Sequence, residues 1–92
     1  MDNLHAIFMA EAQELITELE KSLLILDKEP ENSEAISSVF RAMHTLKGSA
    51  GMFGFESISN LTHQIEKLFD EIRSGKRRLT QSILSLTLNS LD

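Results

Sequence analysis

The chain has 92 residues, a formal net charge of −5, and 41% hydrophobic and 25% charged residues, as expected of one small globular domain with a single core. It has no cysteine, which excludes disulfides and thiolate-bound metals, and its single proline and lack of tryptophan and tyrosine favour helices over strands. No basic segment followed by an apolar one opens the sequence, and no apolar run could cross a bilayer. We therefore predict no membrane insertion and a cytoplasmic location.

The first two predicted helices are separated by a proline. Apolar residues recur at helical spacing from about residue 3 to residue 27, and Pro30 follows closely, where a helix cannot continue comfortably. Asn32 or Ser33 can cap the second helix, because a short polar side chain accepts a hydrogen bond from the first free amides. This helix is predicted to continue to about Phe53.

The last two predicted helices are bounded by turn residues and caps. The third covers about residues 56–74, and Gly75 can end it in a left-handed conformation. Thr80 can cap the fourth, with Leu79 and Leu84 as a hydrophobic staple. The pattern is cut off at Asp92, which we interpret as the end of a fragment of a longer protein. Short connections between amphipathic helices predict an all-α, antiparallel up-down four-helix bundle in a single domain, 1–92.

One histidine of the second helix lies beside a line of glycines. The apolar stripe of this helix consists of Ile36, Val39, Phe40, Met43, Leu46, Ala50 and Phe53. At 100° per residue, His44 falls about 110° from its centre, where the packed face meets solvent. Gly48 and Gly51 follow on the same flank, although a glycine inside a helix costs about 0.5–1 kcal/mol relative to alanine. We interpret them as a surface kept clear for close approach to His44.

A carboxylate of the third helix occupies a similar boundary position. The apolar stripe there consists of Ile58, Leu61, Ile65, Leu68, Phe69 and Ile72. Glu66 falls about 110° from its centre, so antiparallel packing would let it meet His44 across the seam. A carboxylate that accepts from one imidazole nitrogen makes the other a better nucleophile. Lys47 lies one turn past His44, and His63 can reach Glu66 from the solvent side.

Other interpretations of these residues stay open at this point. His44, His63 and Glu66 are residue types that bind zinc or copper, although they offer three ligands at most. Alternatively, Glu66 and Lys47 form a surface ion pair worth at most about 1 kcal/mol, and the histidines have no role. In that case the protein is a structural or adaptor bundle without chemistry.

The basic residues near the end of the third helix do not predict a nucleic-acid site. The cluster consists of Arg73, Lys76, Arg77 and Arg78. No aromatic residue is interleaved with it, acidic residues lie just upstream, and the whole chain is acidic. We interpret the cluster as a solvated helix end and expect no nucleic-acid partner.

Two sequence stretches resemble a known family. HTLKGSAGMFGF at 44–55 and NLTHQIEKLFDEIRSG at 60–75 resemble the histidine phosphotransfer (HPt) domain, and more narrowly the amino-terminal phosphotransfer domain of chemotaxis histidine kinases. The resemblance covers about residues 4–91. It implies that His44 is phosphorylated on the ring nitrogen distant from the backbone and that Glu66 accepts a hydrogen bond from the other. It also implies that Lys47 and His63 complete the polar cluster and that Gly48 leaves room beside the ring.

The resemblance also implies partners and cofactors. An ATP-binding kinase domain would transfer the γ-phosphoryl group to His44, and an aspartate of a response-regulator receiver domain would take it on. The sequence has neither GxxxxGK[ST] nor GxGxxG, so this domain is expected to bind no cofactor itself, with ATP and Mg²⁺ supplied through the partner domains.

The domain would thus be part of a histidine protein kinase without catalysing a reaction alone. A free-standing HPt shuttle or a module of a hybrid kinase is the alternative within the family. Members of this type often carry a fifth helix, which this sequence lacks, and we expect the isolated domain to be a monomer.

Overall fold

Four helices make up the fold. In a computed structural model, which describes residues 2–91, the chain forms α1 (Asp2–Lys28), α2 (Ser33–Met52), α3 (Glu56–Arg73) and α4 (Gln81–Ser90), and no strand occurs within these residues. The predicted four-helix architecture is confirmed. The bundle is a rod of 42 × 21 × 20 Å, whose length matches that of α1, since 27 residues at 1.5 Å each span about 40 Å. No helix in this range combines the length and apolar character needed to cross a membrane.

Caps and glycine turns set the ends of the helices. The Asn32 side chain accepts a hydrogen bond from the Ala35 amide at 2.9 Å and caps α2, and Thr80 accepts from the Ile83 amide at 3.2 Å and caps α4. Gly54 and Gly75 have φ values of +82° and +83°, in the left-handed region that side chains disfavour. Gly54 allows the reversal that places α3 against α2, and Gly75 ends α3 before the connection to α4.

The main core lies in the half of the bundle where all four helices meet. It contains Leu19, Leu23, Leu26, Ala35, Ile36, Val39, Ala42, Met43, Ile65, Phe69, Ile72 and Leu84. Phe69, from α3, is fully buried among them, and burial of a side chain of this size contributes about 1.5–3 kcal/mol. Because α2 and α3 both contribute to this core, their relative position along the seam is fixed.

A second, aromatic cluster holds the turn between α2 and α3 against α1. The Phe8 ring, 3% exposed, lies 5.5 Å from the Phe53 ring and 4.8 Å from the Phe55 ring, measured between centroids. Such offset aromatic contacts contribute about 0.5–1.5 kcal/mol beyond the area that they bury. The end of α2 beyond His44 is therefore anchored against α1.

An apolar groove opens beyond the end of α4. Ile58 and Leu61 lie on the predicted stripe of α3 but are 41% and 42% exposed. They line a cavity of about 390 Å³ between α1 and α3, which Ser90 and Leu91 border at one end. Within the described residues α4 covers Gln81–Ser90 and does not shield these two side chains from solvent.

The basic residues near the end of α3 are solvated, as predicted. Arg73 Nη2 lies 2.7 Å from Asp70 Oδ1, and Arg77 Nε lies 2.7 Å from Glu71 Oε1. All four side chains of these two pairs are 43–53% exposed. Ion pairs with this exposure are worth about 0–1 kcal/mol each.

Two substitutions on α3 test where the core ends. Ile65→Ala removes a side chain that is 2% exposed and should lower the free energy of unfolding by about 2–5 kcal/mol. Leu61→Ala, one turn earlier, should cost about 1 kcal/mol or less, because that side chain remains in contact with water. Urea unfolding of residues 1–92 measures both, and equal costs for the two variants would contradict the open groove.

Candidate functional site

His44 lies on the seam between α2 and α3, on the solvent side of the core. Its neighbour Met43 is buried, whereas the His44 side chain is 64% exposed. The His44 Nδ1 atom lies 2.5 Å from Oε2 of Glu66, which is 7% exposed and projects from α3. The antiparallel pairing of α2 and α3 thus brings together the two side chains that their angular positions predicted to meet.

The contact with Glu66 fixes the tautomer of His44. An ionised carboxylate can only accept hydrogen bonds, so Nδ1 carries the proton and donates it to Glu66. A neutral imidazole then keeps the free lone pair on Nε2. Because the ring is mostly exposed, this lone pair is available to a reacting group that arrives from solvent.

Lys47 approaches the other oxygen of the same carboxylate. Its Nζ atom lies 2.7 Å from Glu66 Oε1, and the lysine side chain is 27% exposed. The approach departs from hydrogen-bond directions, so the contact is an ion pair without a well-aligned hydrogen bond. Each oxygen of Glu66 therefore has one partner from α2, one turn apart.

The two contacts from α2 keep Glu66 charged. Burial raises the pKa of the Glu66 carboxyl and is the largest single influence on it. The close contact and charge of Lys47, and then the hydrogen bond and charge of His44, together outweigh burial, so the pKa lies below its ordinary value of 4.5. The carboxylate is ionised at neutral pH, as the hydrogen bond from Nδ1 requires.

The two glycines on the His44 flank differ in their surroundings. A Cβ atom added to Gly48 would have no neighbour within 4 Å, so the surface one turn past His44 is open. A Cβ atom on Gly51 would lie 3.5 Å from Ser59 Oγ, which is ordinary contact. Ser59 also donates a hydrogen bond to the Lys47 carbonyl oxygen at 3.2 Å. Gly48 therefore faces solvent, whereas Gly51 lies where α3 comes close to α2.

His63 is exposed and is not brought to the carboxylate. Among residues 2–91, the recorded partners of the two Glu66 oxygens are His44 and Lys47. The same part of the chain contains no group of three or more His, Asp or Glu side chains placed to hold a metal ion. The carboxylate is turned towards α2, so His63, one turn earlier on α3, stays on the solvent side.

Phe40, beside His44, and Arg73, beside Phe40, are not indicated as site residues by the sequence. The Phe40 and His44 ring centroids lie 6.4 Å apart with planes inclined by 20°, and the Arg73 guanidinium carbon lies 4.1 Å from the Phe40 centroid. Phe40 was assigned only to the apolar stripe, and Arg73 only to the solvated helix end. The i, i+4 spacing between Phe40 and His44, and the position of Arg73 opposite Phe40 in the antiparallel α2–α3 pair, are the signals that could indicate them.

The fold and this histidine–carboxylate seam agree with comparisons to known proteins. The chain belongs to the Hpt domain family, whose model matches residues 3–92. It is 41% identical over 91 residues to the chemotaxis protein CheA of Borreliella burgdorferi, and 39% identical over 92 residues to CheA of Halobacterium salinarum. The alignments cover 99% and 100% of this chain but 10% and 14% of those relatives.

A solved structure shows the same similarity in three dimensions. The CheA phosphotransferase domain from Thermotoga maritima matches with a TM-score of 0.85 and 34% identity, covering 100% of this chain and 93% of that one. The chain is thus an Hpt four-helix bundle of the kind found in CheA, and the predicted family is confirmed.

The charged state of Glu66 gives a pH-dependent contribution to stability. The folded-state pKa lies below the unfolded value near 4.5, so the unfolded chain binds more protons at acidic pH. The contribution is complete above the unfolded pKa and is lost as pH falls through the folded one. Glu66→Gln should lower the free energy of unfolding by about 1–3 kcal/mol at pH 7, and the difference from wild type should shrink below pH 4.5.

Glu71→Gln is the matched control for this measurement. Glu71 belongs to the same helix and pairs with Arg77, but its side chain is 43% exposed. We expect this substitution to cost at most about 1 kcal/mol at pH 7. Urea titrations between pH 3 and 7 compare the variants, and a Glu66→Gln difference that grows on acidification would contradict the described contacts.

Proposed function

We propose that His44 is the phosphoacceptor of a CheA-type chemotaxis kinase. The Nε2 atom receives the γ-phosphoryl group of ATP and later passes it to an aspartate of a receiver domain. The observation that carries this proposal is the contact of 2.5 Å between His44 Nδ1 and Glu66, on a ring whose side chain is 64% exposed. A supported tautomer and an accessible second nitrogen are the two properties that a nucleophilic imidazole needs.

Phosphoryl transfer from ATP to His44 exchanges one bond to phosphorus for another. The Nε2 lone pair forms the N–P bond as the bond between the γ-phosphorus and the bridging oxygen breaks, and ADP leaves with that electron pair. The imidazole becomes more positive during attack, and the negative Glu66, which accepts from Nδ1–H, stabilises this charge. In the second step an aspartate oxygen attacks phosphorus, and the N–P electron pair returns to Nε2.

Lys47 contacts Glu66 in the structure, whereas within residues 2–91 no such contact supports a role of His63 in the site. The contact of 2.7 Å between Lys47 Nζ and Glu66 supports a role for Lys47 in keeping the carboxylate ionised and in place. Its ammonium also lies one turn from His44, where it can offset the charge of an arriving phosphoryl group. His63 is exposed on the next helix, and its participation stays a prediction from the family resemblance.

The proposed partners supply what this domain lacks. The kinase domain would bring ATP with Mg²⁺, and the receiver would bring the accepting aspartate with its own Mg²⁺. Similarity to CheA over the whole chain and the lack of a nucleotide-binding sequence motif support this division. The domain then contributes a positioned nucleophile to a histidine protein kinase, and the location of such a kinase is the cytoplasm, where ATP is available.

Phosphorylation of His44 can be tested without any partner. Incubation with a small phosphoramidate donor should add one phosphate to the wild-type chain, and none to His44→Gln, because Nε2 is the proposed nucleophile. The phosphate should be lost in acid and kept in base, as an N–P bond requires. Intact-mass spectrometry measures both.

His5→Gln and His63→Gln are the controls, since they alter the other two histidines of the sequence. Both should still gain one phosphate. Uptake by His44→Gln equal to that of wild type, or no uptake by a folded wild type, would refute the proposal.

Gly48→Leu tests whether the open surface beside His44 serves protein partners. The leucine would extend into space that is free within the domain, and the fold should gain about 0.5–1 kcal/mol because an interior helical glycine is removed. Transfer from the kinase domain should slow by about tenfold or more, since a small displacement of the reacting groups has a large effect on rate.

The small phosphoramidate donor provides the internal control for this variant. It needs little room, so its rate with Gly48→Leu should stay within about twofold of wild type. Equal slowing with the small donor and with the kinase domain would show that the leucine disturbs His44 itself, contrary to a role in partner access.

A further inference from the structure

His44 has a second neighbour besides Glu66, the ring of Phe40, which is in turn in contact with Arg73. Phe40 precedes His44 by one turn of α2, and the two rings lie 6.4 Å apart with their planes inclined by only 20°. Arg73, the last residue of α3, places its guanidinium carbon 4.1 Å from the centre of the Phe40 ring. The imidazole thus has a charged contact through Nδ1 and an aromatic neighbour beside its ring.

The hydrogen bond to Glu66 leaves one motion of the imidazole free. A ring that makes one hydrogen bond can still tilt by small, combined rotations about χ1 and χ2 that keep the bonded nitrogen in place. Phe40 is half-buried and only part of it packs against the main core, and its ring limits this motion on one side. The angle at which Nε2 faces solvent therefore depends on where the Phe40 ring lies.

Arg73 is well suited to hold the Phe40 ring. Its guanidinium also contacts Asp70 at 2.7 Å, and this ion pair favours the side-chain conformation that lies over the ring. A guanidinium over an aromatic face is attracted to it, and the two flat groups stack closely. Removal of Arg73 would leave the outer face of Phe40 in contact with water.

We propose that Arg73 is a positioning residue for His44, acting through Phe40. It holds the Phe40 ring against the imidazole and so limits the tilt of the His44 side chain. The consequence for rate rests on the proposed function of His44 as a phosphoacceptor, whereas the placement of the rings does not.

The rate test compares two arginines with similar surroundings. Arg73 and Arg77 each have an ion pair of 2.7 Å with a carboxylate of α3, and their side chains are 46% and 47% exposed. Arg73→Ala should slow phosphorylation of His44 by the small phosphoramidate donor by up to about two- to fivefold, the factor reached if the whole strength of one exposed cation–π contact bears on the transition state. Arg77→Ala, which removes the same charge, should leave that rate within about 1.5-fold of wild type.

A spectroscopic readout separates positioning from docking and from charge. The Phe40 ring shifts the NMR signals of the His44 ring protons, so Arg73→Ala should move these signals, and Arg77→Ala should leave them in place. Arg73→Lys should restore part of both the rate and the shift, because a lysine cation can also lie over the ring. Asp70→Asn keeps the arginine and should have a smaller effect than Arg73→Ala.

Each alternative outcome overturns the positioning role. Equal effects of Arg73→Ala and Arg77→Ala would assign the slowing to charge alone. Slowing only with the kinase domain, with the small donor unaffected, would make Arg73 a docking residue. Unmoved His44 ring signals in Arg73→Ala would show that Phe40 does not depend on Arg73. If wild type accepts no phosphate, the proposed function fails, and the ring signals alone decide whether Arg73 places the imidazole.

Discussion

The ionised carboxylate of Glu66, held at the α2–α3 seam, is the interaction on which the site depends. Burial alone would favour its neutral form, and the two contacts from α2 reverse that preference. One oxygen fixes the His44 tautomer and the other takes the charge of Lys47. A neutral Glu66 could not perform both tasks, so the nucleophilic role that we propose for His44 would depend on a charge on the neighbouring helix.

This arrangement ties the chemistry to the packing of two helices. The core residues shared by α2 and α3 set the register, and the aromatic cluster of Phe8, Phe53 and Phe55 fixes the turn between them. A displacement of α3 by one residue would rotate Glu66 by about 100° around its axis and remove it from His44. The rigid bundle thus serves as the support that keeps a polar pair aligned at its surface.

The sequence predicted the helices and the central pair because both follow from periodicity. Helical spacing places His44 and Glu66 at the boundaries of their apolar stripes. Antiparallel packing of α2 and α3 then brings the two side chains into contact. The sequence could not give side-chain direction, so it named both Lys47 and His63 as partners of Glu66, whereas the carboxylate turns towards Lys47 and away from His63. It also gives Gly48 and Gly51 the same position on the flank. What distinguishes them is the distance to Ser59, which only the structure shows. The exposure of Ile58 and Leu61 depends on what packs against α3 at these positions, and the spacing of apolar residues on α3 does not show this.

The open position of Gly48 has a kinetic consequence for the proposed relay. His44 Nε2 is reached over one surface, the open one beside Gly48. The kinase and receiver domains would therefore have to bind this surface one after the other. Each partner would therefore inhibit the other competitively, and excess receiver would slow loading of the histidine as well as speed its unloading. The level of phosphorylated domain would then respond to the ratio of the two partners and to how quickly each dissociates.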